Sequence, residues 1–331
     1  MGSTRRTRPR PEAEATGGVG ESVPPMSTTM AQNQLTARLT RGEIVLLDGA
    51  LGTELERRGV PTRLPLWSAQ ALVQAPDRVR EIHEEYVRAG AEILTACTFR
   101  TTPRALASAG MAGESDRLTA AAITLCREAR ERAGLEREVW IAGSIAPLED
   151  CYRPELAPPP EVAEREHREQ AERLKQAGAD LLLIETMNSV REAVAAVRGA
   201  RSVGLPILVS FICKNAREIW NGELLADAVV AVDALQPDAI LVNCTPVEIA
   251  GACLDEIARA THLPVGCYPN AGAPDLERGA WSFDPAMTPG RFAGAAQGWV
   301  RSGAQIVGGC CGTGPDHIRA LRSALPPVLV E

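Results

Sequence analysis

The sequence is poor in aromatic residues and histidine and carries no excess of positive charge. Each shortage closes a class of function. Phe, Tyr and Trp make up 4% of the 331 residues, too few for platforms that stack unpaired bases. Lys and Arg number 35 against 42 Asp and Glu, a net charge of −7, so nothing draws the chain to nucleic acid or to an anionic membrane. No apolar run approaches the roughly 20 residues of a spanning helix. The four histidines (His83, His167, His262 and His317) fall on or beside helical stretches and are read as solvated or locally hydrogen-bonded. A histidine metal site or a Ser-His-Asp triad therefore has little support. Nine cysteines, an odd number with no secretory apolar core ahead of them, argue against a disulfide framework and for a reducing cytoplasm.

What is present begins with a segment rich in Arg, Pro, Ser, Thr and Gly. Residues 1–38 lack apolar periodicity and are expected to form a disordered extension, with Glu12, Glu14 and Glu21 arguing against an organellar transit peptide. Residues 39–331 are expected to form one domain. Within it a short apolar run followed by an amphipathic stretch repeats eight times. The apolar runs are 43–50, 91–98, 139–146, 180–186, 206–213, 239–245, 264–268 and 305–310. They lack polar alternation, as strands buried on both faces should. Helices are expected over 76–89, 118–133, 162–177 and 190–200, and again after Pro315. Gly90, Gly178 and Gly303 each stand between a helix and a strand, as helix stops do. Eight such units fit a closed (β/α)₈ barrel better than a doubly wound open sheet.

Chemistry in such a barrel sits at the C-terminal strand ends. There the sequence places Asp48, Glu185, Lys214 and several thiols. Gly308-Gly309-Cys310-Cys311-Gly312 follows the last strand, and Cys244 ends the sixth. Adjacent cysteines pair poorly with each other, but three soft thiolates at one rim suit Zn²⁺ with an open fourth position. Cys97 and Cys213 also end strands and stay open as ligands. Cys126, Cys253 and Cys267 read as packed side chains, and Cys151 as an exposed thiol. Asp48 either receives an ammonium group or caps the helix near Thr53. Glu185 follows four apolar residues, where a charge calls for a partner or a ligand.

These residues, with Asp48-Gly49-Ala50, Gly143-Ser144, Glu185-Thr186, Asn243-Cys244, Tyr268-Pro269-Asn270 and Gly308-Gly309-Cys310-Cys311 in order, resemble the homocysteine S-methyltransferase family over residues 41–325. Leu66-Trp67-Ser68 and the stretch around His83 and Tyr86 are similar to its S-methylmethionine-using branch. The resemblance implies methyl transfer from a sulfonium donor to homocysteine, giving methionine, in a zinc-dependent barrel. It implies Cys244, Cys310 and Cys311 as the zinc ligands, with Asp48 and Glu185 holding the amino group of homocysteine. Its carboxylate is expected at backbone amides near Gly49 and Asn243, and Asn270 is a further expected contact. Cys97 and Arg100 depart from the family pattern. Arg100 stands where the betaine-using branch carries Tyr, and Thr186 replaces its second aromatic, so betaine is disfavoured as donor. The loop 148–160 is also atypical, and its Glu149 and Asp150 are candidate contacts for a cationic donor. The implied partners are small molecules, and the lack of the betaine branch's C-terminal arm leans toward a monomer. Two rivals remain. One is a Schiff-base aldolase or phosphate-binding barrel using Lys214 and the glycines after the last strand. The other is a non-catalytic zinc protein with Cys97 as fourth ligand.

Overall fold

The computed structural model describes residues 1–2, 28–135, 137–275 and 280–325. Eight strands form one parallel sheet: β1 (Val45–Leu46), β2 (Ile93–Thr95), β3 (Trp140–Ile145), β4 (Leu181–Met187), β5 (Ile207–Ile212), β6 (Ala239–Pro246), β7 (Val265–Asn270) and, after a hairpin of β8 (Gly272–Asp275) and β9 (Ala280–Phe283), β10 (Ala304–Val307). The spatial order is β1-β10-β7-β6-β5-β4-β3-β2. The two ends meet through a parallel bridge between Leu47 and Ile93. The Asp48 amide donates to the Ile93 carbonyl at 3.0 Å and the Glu92 amide to that of Leu46 at 2.7 Å, which closes the barrel.

Alternation along each strand divides its side chains between two apolar layers. Val45, Leu47, Ile93, Trp140, Leu183 and Leu241 fill the barrel interior, while Leu46, Leu94, Ile141, Leu182, Ile184 and Val242 pack under the helices. The continuous apolar runs of the sequence follow from this burial on both faces. The helices Pro76–Ala89, Ser115–Ala133, Pro160–Ala177 and Val190–Arg201 match the expected ones to within three residues at each end. Gly90, Gly178 and Gly303 all have positive φ (121°, 93° and 97°), the turn only glycine makes cheaply.

The expected boundary at residue 39 is too late. Helix α1 (Thr28–Thr40) closes the N-terminal end of the barrel, with Leu35 and Leu39 buried in the interior layer. Arg38 fastens it, donating to Glu43 and Glu92 at 2.8 Å each and to the Ile44 carbonyl at 3.1 Å. Glu92 in turn accepts the Leu46 amide at 3.1 Å, so α1 is tied to the strand ends that it covers. The helix escapes detection because its packing among the described residues falls to two leucines, one turn apart. The rest of the expected extension, residues 3–27, lies outside the described residues.

Two histidines also differ from expectation. His83 and His167 are fully buried, and neither ring has a hydrogen-bond partner among the described residues, so they are neither solvated nor locally hydrogen-bonded. Burial alone pushes the pKa of His83 down to about 4, so it stays neutral at pH 7. His167 faces Glu192 at 3.4 Å, and the Glu192 carboxylate also accepts the Leu148 amide at 2.8 Å. No helix of the described residues is long and apolar enough to cross a membrane.

Candidate active site

At the C-terminal end of the barrel, β6 and β10 bring three cysteines together. Cys244 takes φ 49°, a left-handed conformation costly for a residue with a side chain. The turn around it is held by Thr245, whose hydroxyl donates to the Asn243 carbonyl at 2.9 Å and accepts the Cys213 amide at 3.0 Å. After β10 the backbone is drawn close to its neighbours. A Cβ on Gly308 would stand 2.6 Å from Leu47 Cβ, and one on Gly312, at φ +85°, would strike the Ala271 carbonyl. These close approaches explain the glycines around the cysteine pair and place Cys310 and Cys311 opposite Cys244. The three sulfurs all lie within 4.8 Å of one another, and Cys244 Sγ stands 3.0 Å from Cys310 Sγ. Hydrogen bonding from the Cys244 and Cys311 thiols holds Cys310 well below the usual thiol range, so the cluster favours a thiolate there.

Two buried carboxyls flank the cluster. Asp48 accepts from the Thr95 amide and the Thr95 hydroxyl, both at 2.8 Å. Burial pushes its pKa up to about 7. Glu185 accepts from the Ser144 hydroxyl and from the Tyr268 hydroxyl at 3.3 Å. Burial, with the charge of Cys310 added, pushes it up to about 8. Neither carboxyl has a basic side chain as partner among the described residues, so a bound cation would restore both charges. Asp48 thus faces the mouth and makes no cap for the helix Gly52–Arg57, whose first turn receives no side-chain cap.

Asp48, Gly49, Glu185, Cys244, Cys310 and Cys311 line one cavity of about 440 Å³. Asn243 and Asn270 do not; both are fully buried behind it. The Asn243 amide is used up internally. Its oxygen accepts from the Thr186 amide at 3.0 Å and the Ser210 hydroxyl at 2.7 Å, and its nitrogen donates to the Thr186 hydroxyl at 2.8 Å. Asn243 therefore holds Thr186 at φ 62° beside Glu185, and its side chain is not presented to a ligand.

The other thiols separate cleanly. Cys97 lines the cavity but stands outside the triad, and burial pushes it up to about 12. Cys126, Cys253 and Cys267 are packed as expected. Cys151 is not exposed: the loop after β3 folds inward and buries it in the cavity wall. Glu149 of that loop is bound to Arg104 at 3.0 Å, which leaves Asp150 facing the cavity. Lys214 is exposed and absent from the lining, so a Schiff-base reading loses its nucleophile. Most amides after β10 are also spent: Gly309 donates to the Asp48 carbonyl, Cys310 to that of Pro269, Gly312 to the Thr53 hydroxyl and Gly314 to His317 Nδ1, which leaves little for a phosphate cradle.

Sequence reasoning missed Thr95 as the residue that orients Asp48, and missed the aromatic wall of Trp67, Phe99, Tyr152 and Trp281. Trp67 and Phe99 meet edge to face at 5.5 Å, and Tyr152 packs on Trp220 at 5.1 Å. Trp281 comes from the β8–β9 hairpin, an element the eight-strand pattern passes over. The available signals were Leu66-Trp67-Ser68, read above only as a family feature, and the charged run Glu149-Asp150-Cys151-Tyr152-Arg153 amid prolines.

Comparison with known proteins agrees with this architecture. The family model described as homocysteine S-methyltransferase matches residues 45–325. The homocysteine S-methyltransferase of Escherichia coli is 34% identical over 315 residues, covering 89% of this chain and 99% of the relative. A selenocysteine Se-methyltransferase of Brassica oleracea is 28% identical over 313 residues, covering 86% and 89%. Among solved structures, the metallated form of the E. coli homocysteine methyltransferase MmuM superposes with a TM-score of 0.77 at 32% identity, covering 87% of this chain and 99% of that one. A cysteine triad at the mouth of an eight-stranded barrel, together with a family match over nearly the whole of that barrel, has one consequence: the chain belongs to the homocysteine S-methyltransferase family.

Proposed function

We propose that the chain is a zinc-dependent methyltransferase that moves a methyl group from a sulfonium donor, S-methylmethionine in the first place, to homocysteine, giving methionine. The observation that carries this reading is the triad of Cys244, Cys310 and Cys311 beside two buried carboxyls in one cavity. The donor set fits the metal. Three soft sulfurs suit Zn²⁺, whose bonds of about 2.3 Å set tetrahedral thiolates roughly 3.8 Å apart. That spacing lies between the 3.0 Å pair and the 4.8 Å limit of the triad. Held there, Zn²⁺ supplies the Lewis acidity that turns an acceptor thiol of pKa about 8.5 into the nucleophilic thiolate at neutral pH.

The remaining work is positioning. Asp48, oriented by Thr95, and Glu185, oriented by Ser144 and Tyr268, are placed to receive the ammonium group of homocysteine. The Gly49 amide, which has no acceptor among the described residues, is free for its carboxylate. As the acceptor sulfur forms its bond to the methyl carbon, the C–S⁺ bond of the donor breaks and its electron pair returns to the donor sulfur. The thiol proton leaves to water, so charge and atoms balance. Alignment of this kind is worth up to ~7–11 kcal/mol. No general base is needed at the methyl group.

Zinc-edge X-ray absorption of the zinc-loaded protein, with and without homocysteine, tests the acceptor half of this reading. One additional sulfur neighbour is expected on adding homocysteine. An unchanged four-sulfur shell in both states would show a closed structural site, as in the rival with Cys97 for fourth ligand.

A further inference from the structure

The mouth of the cavity holds a cation that the chain leaves unused. Arg100, in the loop after β2, lines the cavity and makes no ion pair or hydrogen bond among the described residues. Its Nε is shielded from solvent and has no partner, while its guanidinium carbon lies 5.9 Å from the centre of the Phe99 ring. A guanidinium in that position has lost part of its hydration without gaining a protein acceptor, a cost recovered when an anion binds. The cavity's other arginine, Arg153, is paired with Glu155 at 2.8 Å. In the loop after β3, which also lines the cavity, the Asp150 carboxylate accepts only the Tyr152 amide at 2.9 Å and has no cationic partner among the described residues. Both charges act on the same group: the buried Cys151 thiol is pushed up first by burial, with Arg100 opposing the rise and Asp150 adding to it.

One unpaired cation and one unpaired anion on two loops that line the same cavity, with Trp67, Phe99, Tyr152 and the triad also in its lining, describe a receptor for a zwitterion carrying a further apolar or cationic arm. We propose that Arg100 binds the α-carboxylate of the methyl donor and that Asp150 faces its α-ammonium group, so the chain selects sulfonium donors built on an amino acid. This rests on the methyl-transfer reading given above. The acceptor is assigned to the carboxyls of Asp48 and Glu185, so the two amino-acid ends would use separate anchoring groups of the one cavity. The aromatic faces that line the same cavity suit the sulfonium centre, as they suit other soft cations. Betaine and dimethylsulfoniopropionate carry a carboxylate but no ammonium group, and satisfy half of this receptor.

The test is calorimetric titration of S-methylmethionine, its methyl ester and homocysteine into the zinc-loaded wild-type, Arg100→Ala and Arg100→Lys proteins. A charge-assisted bidentate contact predicts that Arg100→Ala weakens S-methylmethionine by roughly 10- to 100-fold, with part of the loss restored by Arg100→Lys. The ester, which offers no carboxylate, is expected to bind wild type and Arg100→Ala equally weakly. Homocysteine affinity is expected to stay within about twofold, which also shows that the variants fold. Equal affinity of S-methylmethionine for wild type and Arg100→Ala would overturn the proposal. So would an equal loss for the ester, or a loss that falls on homocysteine. Failure of homocysteine to bind wild type is a separate result: it would refute the acceptor reading, whereas the donor titrations read Arg100 directly.

Discussion

Cys311→Ala is expected to leave the protein folded, to lower bound zinc from about one per chain to near zero, and to reduce methionine formation by more than about a hundredfold, beyond what loss of a ligand's hydrogen-bond partner costs. The reason is the size of the donor set. Among the described residues only Cys244, Cys310 and Cys311 come close enough together to share an ion. Removing one leaves two thiols and no nearby histidine. The remaining cavity thiols do not substitute, because Cys97 and Cys151 both stand outside the group whose sulfurs come within 4.8 Å of one another. Two controls sharpen the result. Cys97→Ala is expected to keep full zinc content, and Lys214→Ala is expected to keep full activity, because Lys214 is exposed and outside the cavity. Metal analysis and methionine assay on the three variants decide it. Zinc and activity retained in Cys311→Ala would contradict the triad.

The second large effect belongs to helix α1. Leu39→Ala is expected to cost ~2–5 kcal/mol, the usual range for a buried leucine, and to lower Tm by roughly 3–8 °C. Leu39 is 3% exposed and Leu35 1%, and both pack on the barrel interior rather than on a neighbouring helix. A chain lacking residues 1–38 loses more. It uncovers the N-terminal end of the barrel and leaves Glu92, Glu43 and the Ile44 carbonyl without Arg38. Such a chain is expected to aggregate or to melt without a cooperative transition. Calorimetry on the truncated protein gives the answer, and a Tm matching that of the full chain would show α1 to be dispensable.

The same helix marks where the sequence stops being legible. The buried parallel strands announce themselves because both of their faces are apolar, and the helices between them because one face is. Helix α1 does neither. Its packing depends on two leucines meeting a surface assembled from strands far apart in the chain. The β8–β9 hairpin is hidden for a related reason: it interrupts the β/α repeat between the seventh and eighth barrel strands without adding a strand to the barrel.

The site divides in the same way. The cysteine triad is legible because glycines that permit close backbone approach surround Cys310 and Cys311, and because Cys244 ends a strand. Glu185 is legible as a charge where apolar residues prevail. What each polar side chain touches is not legible. Asn243 sits beside a triad cysteine in sequence, yet its side chain makes three hydrogen bonds to Thr186 and Ser210 instead. Cys151 reads as a loop thiol and becomes part of the cavity wall once Asn188 Nδ2 donates to its carbonyl at 3.0 Å. Both outcomes depend on contacts between residues 33 or more positions apart.

The central claim is methyl transfer to homocysteine at the cysteine triad, and the most direct measurement is methionine formation by mass spectrometry. The zinc-loaded protein would be incubated with homocysteine and, separately, S-methylmethionine, S-adenosylmethionine, dimethylsulfoniopropionate or betaine carrying a deuterated transferable methyl group. Labelled methionine from S-methylmethionine, far above that from betaine and lost in Cys311→Ala, is the predicted result. No labelled methionine from any of the four donors, with zinc bound and homocysteine present, would contradict it.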